Sequence, residues 1–237
     1  MKAWIGNLFG LVAAAAIAGG TAIAAERADG SPTLVARGQE PFWHLTIGPA
    51  GVDLQSLTPD LAFTAPRAVR EMADGNARFK ATAGGRELTA TILPHLCADT
   101  MTGMPFPFAV QVAIDGQQLQ GCGGETIDAV EGDWRVVGME GAPVPDGAVV
   151  TVAFGRDGHV AGQGGCNRFS GPYSLTAEGL TFGSLAATRM ACAPPMMDVE
   201  TRFFALLGGV TRVTPGDNGQ LRLMAADRPA LVLDRVR

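Results

Sequence analysis

Histidine is scarce in this chain: three in 237 residues, His44, His95 and His159, widely scattered. None stands near a Cys, Ser or Asp at a spacing that nucleophilic catalysis uses. No G-x-S-x-G, H-E-x-x-H or phosphate-loop motif occurs either. Basic residues are few, 18 Lys and Arg against 23 Asp and Glu, and they are dispersed, so the net charge is −5. Without a basic face, nucleic-acid binding is excluded as an expectation. Beyond the N-terminus no apolar run approaches the ~20 residues that span a bilayer. These shortages point away from an enzyme, a cofactor protein, a nucleic-acid binder or a membrane-spanning chain.

What is present begins with an export signature. Lys2 supplies a positive start, Leu8 to Ala18 an apolar core, and Ala22-Ile23-Ala24 a small-residue cleavage site. Residues 1–25 therefore read as a signal peptide, cut after Ala24 or Ala25. No cysteine near the cut offers a lipidation site, so a periplasmic or secreted protein is expected. All four cysteines, Cys97, Cys122, Cys166 and Cys192, follow the signal, and an even count in an oxidising compartment predicts two disulfides. Three pairings are open. Sequential pairing closes two loops of similar size, so Cys97–Cys122 and Cys166–Cys192 are expected, each stabilising by roughly 3–4 kcal/mol.

The 32 glycines and 15 prolines make up a fifth of the chain, against about 12% in ordinary usage. With 47% hydrophobic residues, this describes a turn-rich β protein with a substantial core. In residues 32–125, Trp43, Leu45 and Ile47 alternate with polar neighbours, the period of a half-buried strand. Turns are predicted at Gly48 to Gly51, at Gly84-Gly85 and at the hairpin signal Asp115-Gly116. An all-β barrel-like or sandwich-like module follows, with no helix. Phe42 and Trp43 are both expected in its core. The Met-bearing loop Cys97 to Pro105 either binds a partner or crosses the barrel mouth; the sequence leaves both open.

A second unit, 130–237, starts with a strand at Trp134. It has turns at 143–147, 156–158, 178–179 and 227–229. One helix is predicted over Asp198–Leu207, with Val199, Phe203, Leu206 and Leu207 on one face and Gly208-Gly209 as its stop. Closing strands are expected at 220–224 and 230–236. The run Gly164 to Tyr173 reads as a pinned corner between strands, with Asn167 a turn residue that tolerates positive φ. Asp198 and Glu200 are expected in the first helical turn, where carboxylates complement exposed N–H groups. Arg168 and Arg189 are read as solvated. Met101, Met104, Met190, Met196 and Met197 flank cysteines; thioether clusters can hold Cu(I), but gap-filling under the disulfide loops is preferred and no metal is expected. The fold class is α+β, mostly antiparallel β, the second module being a curved sheet carrying one helix.

Two resemblances follow from these blocks. "RGQEPFW" with "CADTMTGMPFPFAVQVAIDGQQLQGCGG" resembles uncharacterised bacterial envelope proteins marked by a G-x-E-P-F-W opening. Trp134, "GCNRFSGPY", "LTFGSLAATRMAC" and "DVETRFFALL", taken in order, resemble the META/HslJ family. The motif positions are Gly165, Cys166, Asn167, Arg168, Phe169, Gly171, Tyr173, Thr188, Met190 and Glu200. The resemblance implies an exported α+β domain linked to heat shock, envelope stress and antibiotic tolerance, and it brings no catalytic residues. The expected protein is a monomer that works by binding an envelope protein or a small ligand. Two alternatives stand beside it: an inhibitor of a secreted lysozyme or protease, and a carrier of a small apolar ligand.

Overall fold

The computed structural model describes residues 33–236, and the signal-peptide expectation lies outside them. Residues from Thr33 onward form one compact unit built from two large sheets and a two-stranded one. Strands β1 (Leu34–Gln39), β2 (Phe42–Gly48), β3 (Gly51–Ser56), β4 (Phe63–Ala65), β5 (Val69–Ala73), β6 (Asn76–Ala83) and β7 (Arg86–Leu93) come first. Two short strands, β8 (Cys97–Ala98) and β9 (Pro105–Phe106), pair with each other before β10 (Phe108–Ile114) and β11 (Gln117–Gly123). The first sheet runs β4-β3-β2-β1-β11-β10-β7-β6-β5, antiparallel throughout.

The second sheet follows a five-residue helix, α1 (Thr126–Val130). It contains β12 (Gly132–Met139), β13 (Ala142–Pro143), β14 (Val150–Phe154), β15 (His159–Gly164), β16 (Arg168–Thr176), β17 (Gly179–Phe182) and β18 (Ala186–Ala187). Helix α2 (Pro194–Gly208) precedes β19 (Arg212–Pro215), β20 (Leu221–Ala225) and β21 (Arg228–Arg235). The order is β17-β16-β15-β14-β12-β21-β20-β19. The two sheets curl, one into a half-barrel and the other into a nearly closed barrel, giving the expected α+β, mostly β architecture. In the second, the Leu180 amide donates to the Thr211 carbonyl across the seam between β17 and β19, at 3.0 Å.

Alternation places the cores. In β2, Trp43, Leu45 and Ile47 point inward against Ala36, Leu54, Leu88, Ala90 and Val112. Asp115 and Gly116 both take positive φ, 48° and 77°, the conformation that a two-residue hairpin between twisted strands requires. Trp43 explains two glycine motifs at once. A Cβ at Gly38 would lie 2.2 Å from Trp43 Nε1, and one at Gly121 would lie 2.0 Å from the Arg37 carbonyl and 2.7 Å from the indole. The glycines that open G-x-E-P-F-W and precede Cys122 are the room that the indole occupies. Phe42, expected inside, is 45% exposed: it is the strand neighbour of Trp43 and so faces the other way.

Helix α1 is too short to stand alone. The carbonyls of its last turn, unsatisfied in any helix, find three donors. Trp134 Nε1 reaches the Val130 carbonyl at 2.7 Å, while the Arg235 guanidinium reaches those of Ala129 and Glu131 at 2.9 and 3.0 Å. Arg235 also lies 4.3 Å from the Trp134 ring centroid, a cation–π contact. The last strand thus clamps the start of its own half. Helix α2 begins four residues earlier than periodicity predicts, because Pro194 and Pro195 stand at its first positions, where a missing N–H costs nothing. The turn between β20 and β21 falls at Ala226-Asp227, and Pro229 sits inside β21 beside a register shift, an irregularity that tolerates the lost donor.

Gly38→Ala and Gly121→Ala should each destabilise by at least the roughly 1–3 kcal/mol typical of overpacking. Urea unfolding followed by fluorescence reads this as a lowered midpoint; an unchanged midpoint for both would remove Trp43 as the reason for the glycines.

Candidate functional site

Both expected disulfides form, Cys97–Cys122 and Cys166–Cys192, closing loops of 25 and 26 residues. The second pins the corner between β15 and β16. Only Gly165 to Asn167 turn there; Arg168 onward is a nine-residue strand, so the corner is shorter than the run Gly164 to Tyr173 predicts. Gly165 takes φ 115°, and a Cβ there would sit 3.1 Å from the Met196 carbonyl, so the glycine lets α2 descend onto the corner.

Asn167 is not among the residues with positive φ, contrary to expectation. It is a buried hydrogen-bond hub. Its Oδ1 accepts from the Thr188 hydroxyl at 2.8 Å and the Met190 amide at 2.7 Å. Its Nδ2 donates to Glu200 Oε1 at 2.9 Å and the Met190 carbonyl at 3.2 Å, and its amide donates to Glu200 Oε2 at 2.6 Å. Glu200 therefore does not serve the first helical turn, which holds no acid because the helix starts at Pro194. It is buried in mid-helix and ties α2 to the corner, while Asp198 is exposed. Every side-chain donor and acceptor of Asn167 is used, which makes this a structural lock with nothing left for a ligand.

The open chemistry lies where the two halves meet. The loop between β8 and β9 leaves the first sheet at Cys97, and Phe106 and Met104 enter the core of the second half beside Trp134 and Val213. One cleft, of about 600 Å³, is walled by Met101, Met104 and Phe106 on one side and by Ile127, Tyr173 and Leu175 on the other. A second, about 490 Å³, runs over the outer face of β1, β11 and β10 past Gln111 and Gln120. Arg37, Gln39 and Asp99 line both.

Asp99 shapes the loop. Its Oδ1 accepts from the Met101 and Thr102 amides at 3.1 and 2.8 Å and from the Thr102 hydroxyl at 2.8 Å, while Gln39 approaches Oδ2 at 3.4 Å. Burial alone raises the Asp99 pKa, but the Thr102, Gln39 and Met101 hydrogen bonds together outweigh it and leave the carboxyl below its usual value. On the opposite wall, the Tyr173 hydroxyl donates to the Gly155 carbonyl at 2.7 Å. Burial, then the charges of Asp157 and Glu131, push that phenol upward against an opposing effect of Arg156. Arg156 is itself committed to Asp128 and, at 2.7 Å, Glu131.

A family model described as META domain matches residues 126–237, from the first residue of α1 to the end of the chain. The C-terminal half of the chain is a META domain. An NMR structure of a protein from Burkholderia xenovorans shares 28% identity, covering 45% of this chain and 82% of that one, with TM-score 0.39. A second NMR structure shares 30% identity over 44% of this chain and 88% of that one, with TM-score 0.36. No curated protein matches the chain.

Within the META half, the motif residues separate by task. Gly165, Cys166, Asn167, Thr188, Met190 and Glu200 converge on the corner. Phe169 packs tilted against Phe203 and edge-on against Phe204 of α2, with ring centroids 5.5 Å from each. Gly171 makes room for the strap at Ser184-Leu185, and the Arg168 side chain is exposed. Tyr173 alone reaches the cleft. Arg37, Ile127 and Leu175 escaped the sequence because they come from distant segments; only the loop 97–105, which holds Asp99, carried a signal, and it both crosses to the META half and lines the clefts. The methionines flanking the cysteines diverge, Met104 being buried in the core while Met101 is 76% exposed.

Asn167→Ala should cost on the order of 3 kcal/mol, since it strands the Met190 amide and Glu200 in a buried site; a loss under about 1 kcal/mol on chemical denaturation would contradict the hub. A second expectation concerns Asp99. With its carboxyl held below 3.8, the stabilisation is complete above the usual carboxylate range and is lost as pH falls through the lowered value. The Met101 and Thr102 amide resonances should therefore titrate with a midpoint below 3.8, and Asp99→Asn should abolish the step. A midpoint above that value would reverse the sign.

Proposed function

We propose that this chain is an exported, non-catalytic binding protein of the bacterial envelope that acts in envelope stress or antibiotic tolerance. The observation that carries the reading is the cleft where the META half meets the first sheet, built from both and bounded by a disulfide-tethered loop. Both disulfides fit an oxidising compartment. Among the described residues no helix is long and apolar enough to cross a membrane. Binding is favoured over catalysis because the cysteine, Asp99 and Tyr173 groups around the cleft are committed elsewhere. The cysteines are paired, Asp99 is engaged by its own loop, and the Tyr173 hydroxyl is bonded to a backbone carbonyl. Buried side chains occupy both sheet interiors, so a ligand belongs in the cleft rather than inside a barrel. The stress role itself comes from the family resemblance.

The test is a deletion strain challenged with heat and envelope-active antibiotics, complemented by protein carrying a photo-crosslinker at Leu175. The reading expects sensitisation on deletion and a specific crosslink that Arg37→Gln weakens. Full resistance without the protein, together with no crosslink from Leu175, would overturn it.

A further inference from the structure

The geometry points to the C-terminal end of a peptide, with an apolar last residue, as the ligand of the junction clefts, its carboxylate held by Arg37. This deepens the binding reading above and rests on it. Three observations converge. Arg37 projects from β1 at the point where the two clefts meet, and its guanidinium lies 5.3 Å from the Phe106 ring centroid. A guanidinium over an aromatic ring with no anion on its N–H fork is suited to bidentate carboxylate recognition. Among the described residues no carboxylate comes within 4.0 Å of it. The other cleft cation, Arg156, is already paired twice, and Asp99 is engaged by its own loop, so the anion-binding capacity of the junction resides in Arg37.

The two clefts together offer the two kinds of surface a peptide terminus requires. On the META side of Arg37 an apolar stripe of Met104, Phe106, Ile127 and Leu175 runs beside the polar Glu125 and Arg156. At about 600 Å³ this cleft is within the usual range for a ligand pocket, and it suits the last side chain. On the other side, Gln111 and Gln120 present primary amides, directly opposed in register on β10 and β11. Each amide offers a donor and an acceptor, what an extended peptide backbone needs. A chain running over the glutamines and ending at Arg37 uses both clefts in one continuous path. Terminal-carboxylate capture is a recurring peptide-recognition mode.

The test titrates the oxidised, isotope-labelled protein with acetyl-Gln-Ala-Phe carrying a free C-terminus, with the same peptide as its C-terminal amide, and with acetyl-Phe. The free acid should shift the amide resonances of Arg37, Phe106, Ile127 and Leu175 and bind at least tenfold tighter than the amide. Arg37→Gln, an exposed position whose change leaves the folded spectrum intact, should erase that difference. Gln120→Ala should weaken the tripeptide but not acetyl-Phe. Equal binding of acid and amide by the unaltered protein would overturn the terminal-carboxylate assignment while leaving the cleft as a binding site. Shifts confined to other surfaces, or none, would overturn the peptide assignment. The Leu175 crosslink decides the broader reading separately.

Discussion

The structure depends on a hydrophobic seam. Phe106 and Met104 belong by sequence to the first half, yet they are buried in the core of the second, alongside Trp134, Phe203 and Leu223. Cys122 joins them, so the disulfide to Cys97 fastens the same loop to the first sheet that the two side chains fasten to the second. Burying a Phe and a Met contributes about 1.5–3 kcal/mol each. Neither half can keep that gain alone, because the side chains and the cavity they fill belong to different sheets. The clefts exist as a consequence: they are the space left on either side of the loop where it crosses.

Around the seam, the META half is closed at both ends by single side chains. Arg235 from the last strand and Trp134 from the first satisfy the end of α1, so the META half is fastened at its own beginning. At the opposite end, Asn167 and Glu200 join β16, the strap and α2 through one saturated network beneath Cys166–Cys192. Such buried polar groups stabilise only when every partner is present, and Asn167 has all of its partners here. The chemistry that remains available was displaced to the junction, where Arg37 keeps an aromatic support and no anion.

Much of the fold was legible because its signals are local. Asp115-Gly116 and Gly84-Gly85 force hairpins, alternation puts Trp43 and Leu45 inside, and similar cysteine intervals favour the pairing observed. The misses have physical reasons. Apolar periodicity begins the helix at Asp198, yet two prolines are permissive at a helix start, and the earlier start at Pro194 moves Glu200 from the first turn to a buried tie. Asn167 has the composition of a turn, but its side chain rather than its backbone angle is what the corner uses. Phe42 was assigned by hydrophobicity when alternation with Trp43 sends it outward. Helix α1 is five residues long and carries no periodicity at all. The cleft was the least legible, since Gln39 and Asp99 are sixty residues apart and meet only after the sheets have formed.

The central claim, that the seam makes the two sheets one cooperative body, is tested most directly by equilibrium unfolding of single-tryptophan variants. One keeps Trp43 to report the first sheet, the other Trp134 to report the META half. The account predicts coincident transitions, both shifted down together by Phe106→Ala, which should cost about 3–5 kcal/mol. Two separated transitions, with Phe106→Ala moving only the Trp134 signal, would contradict it.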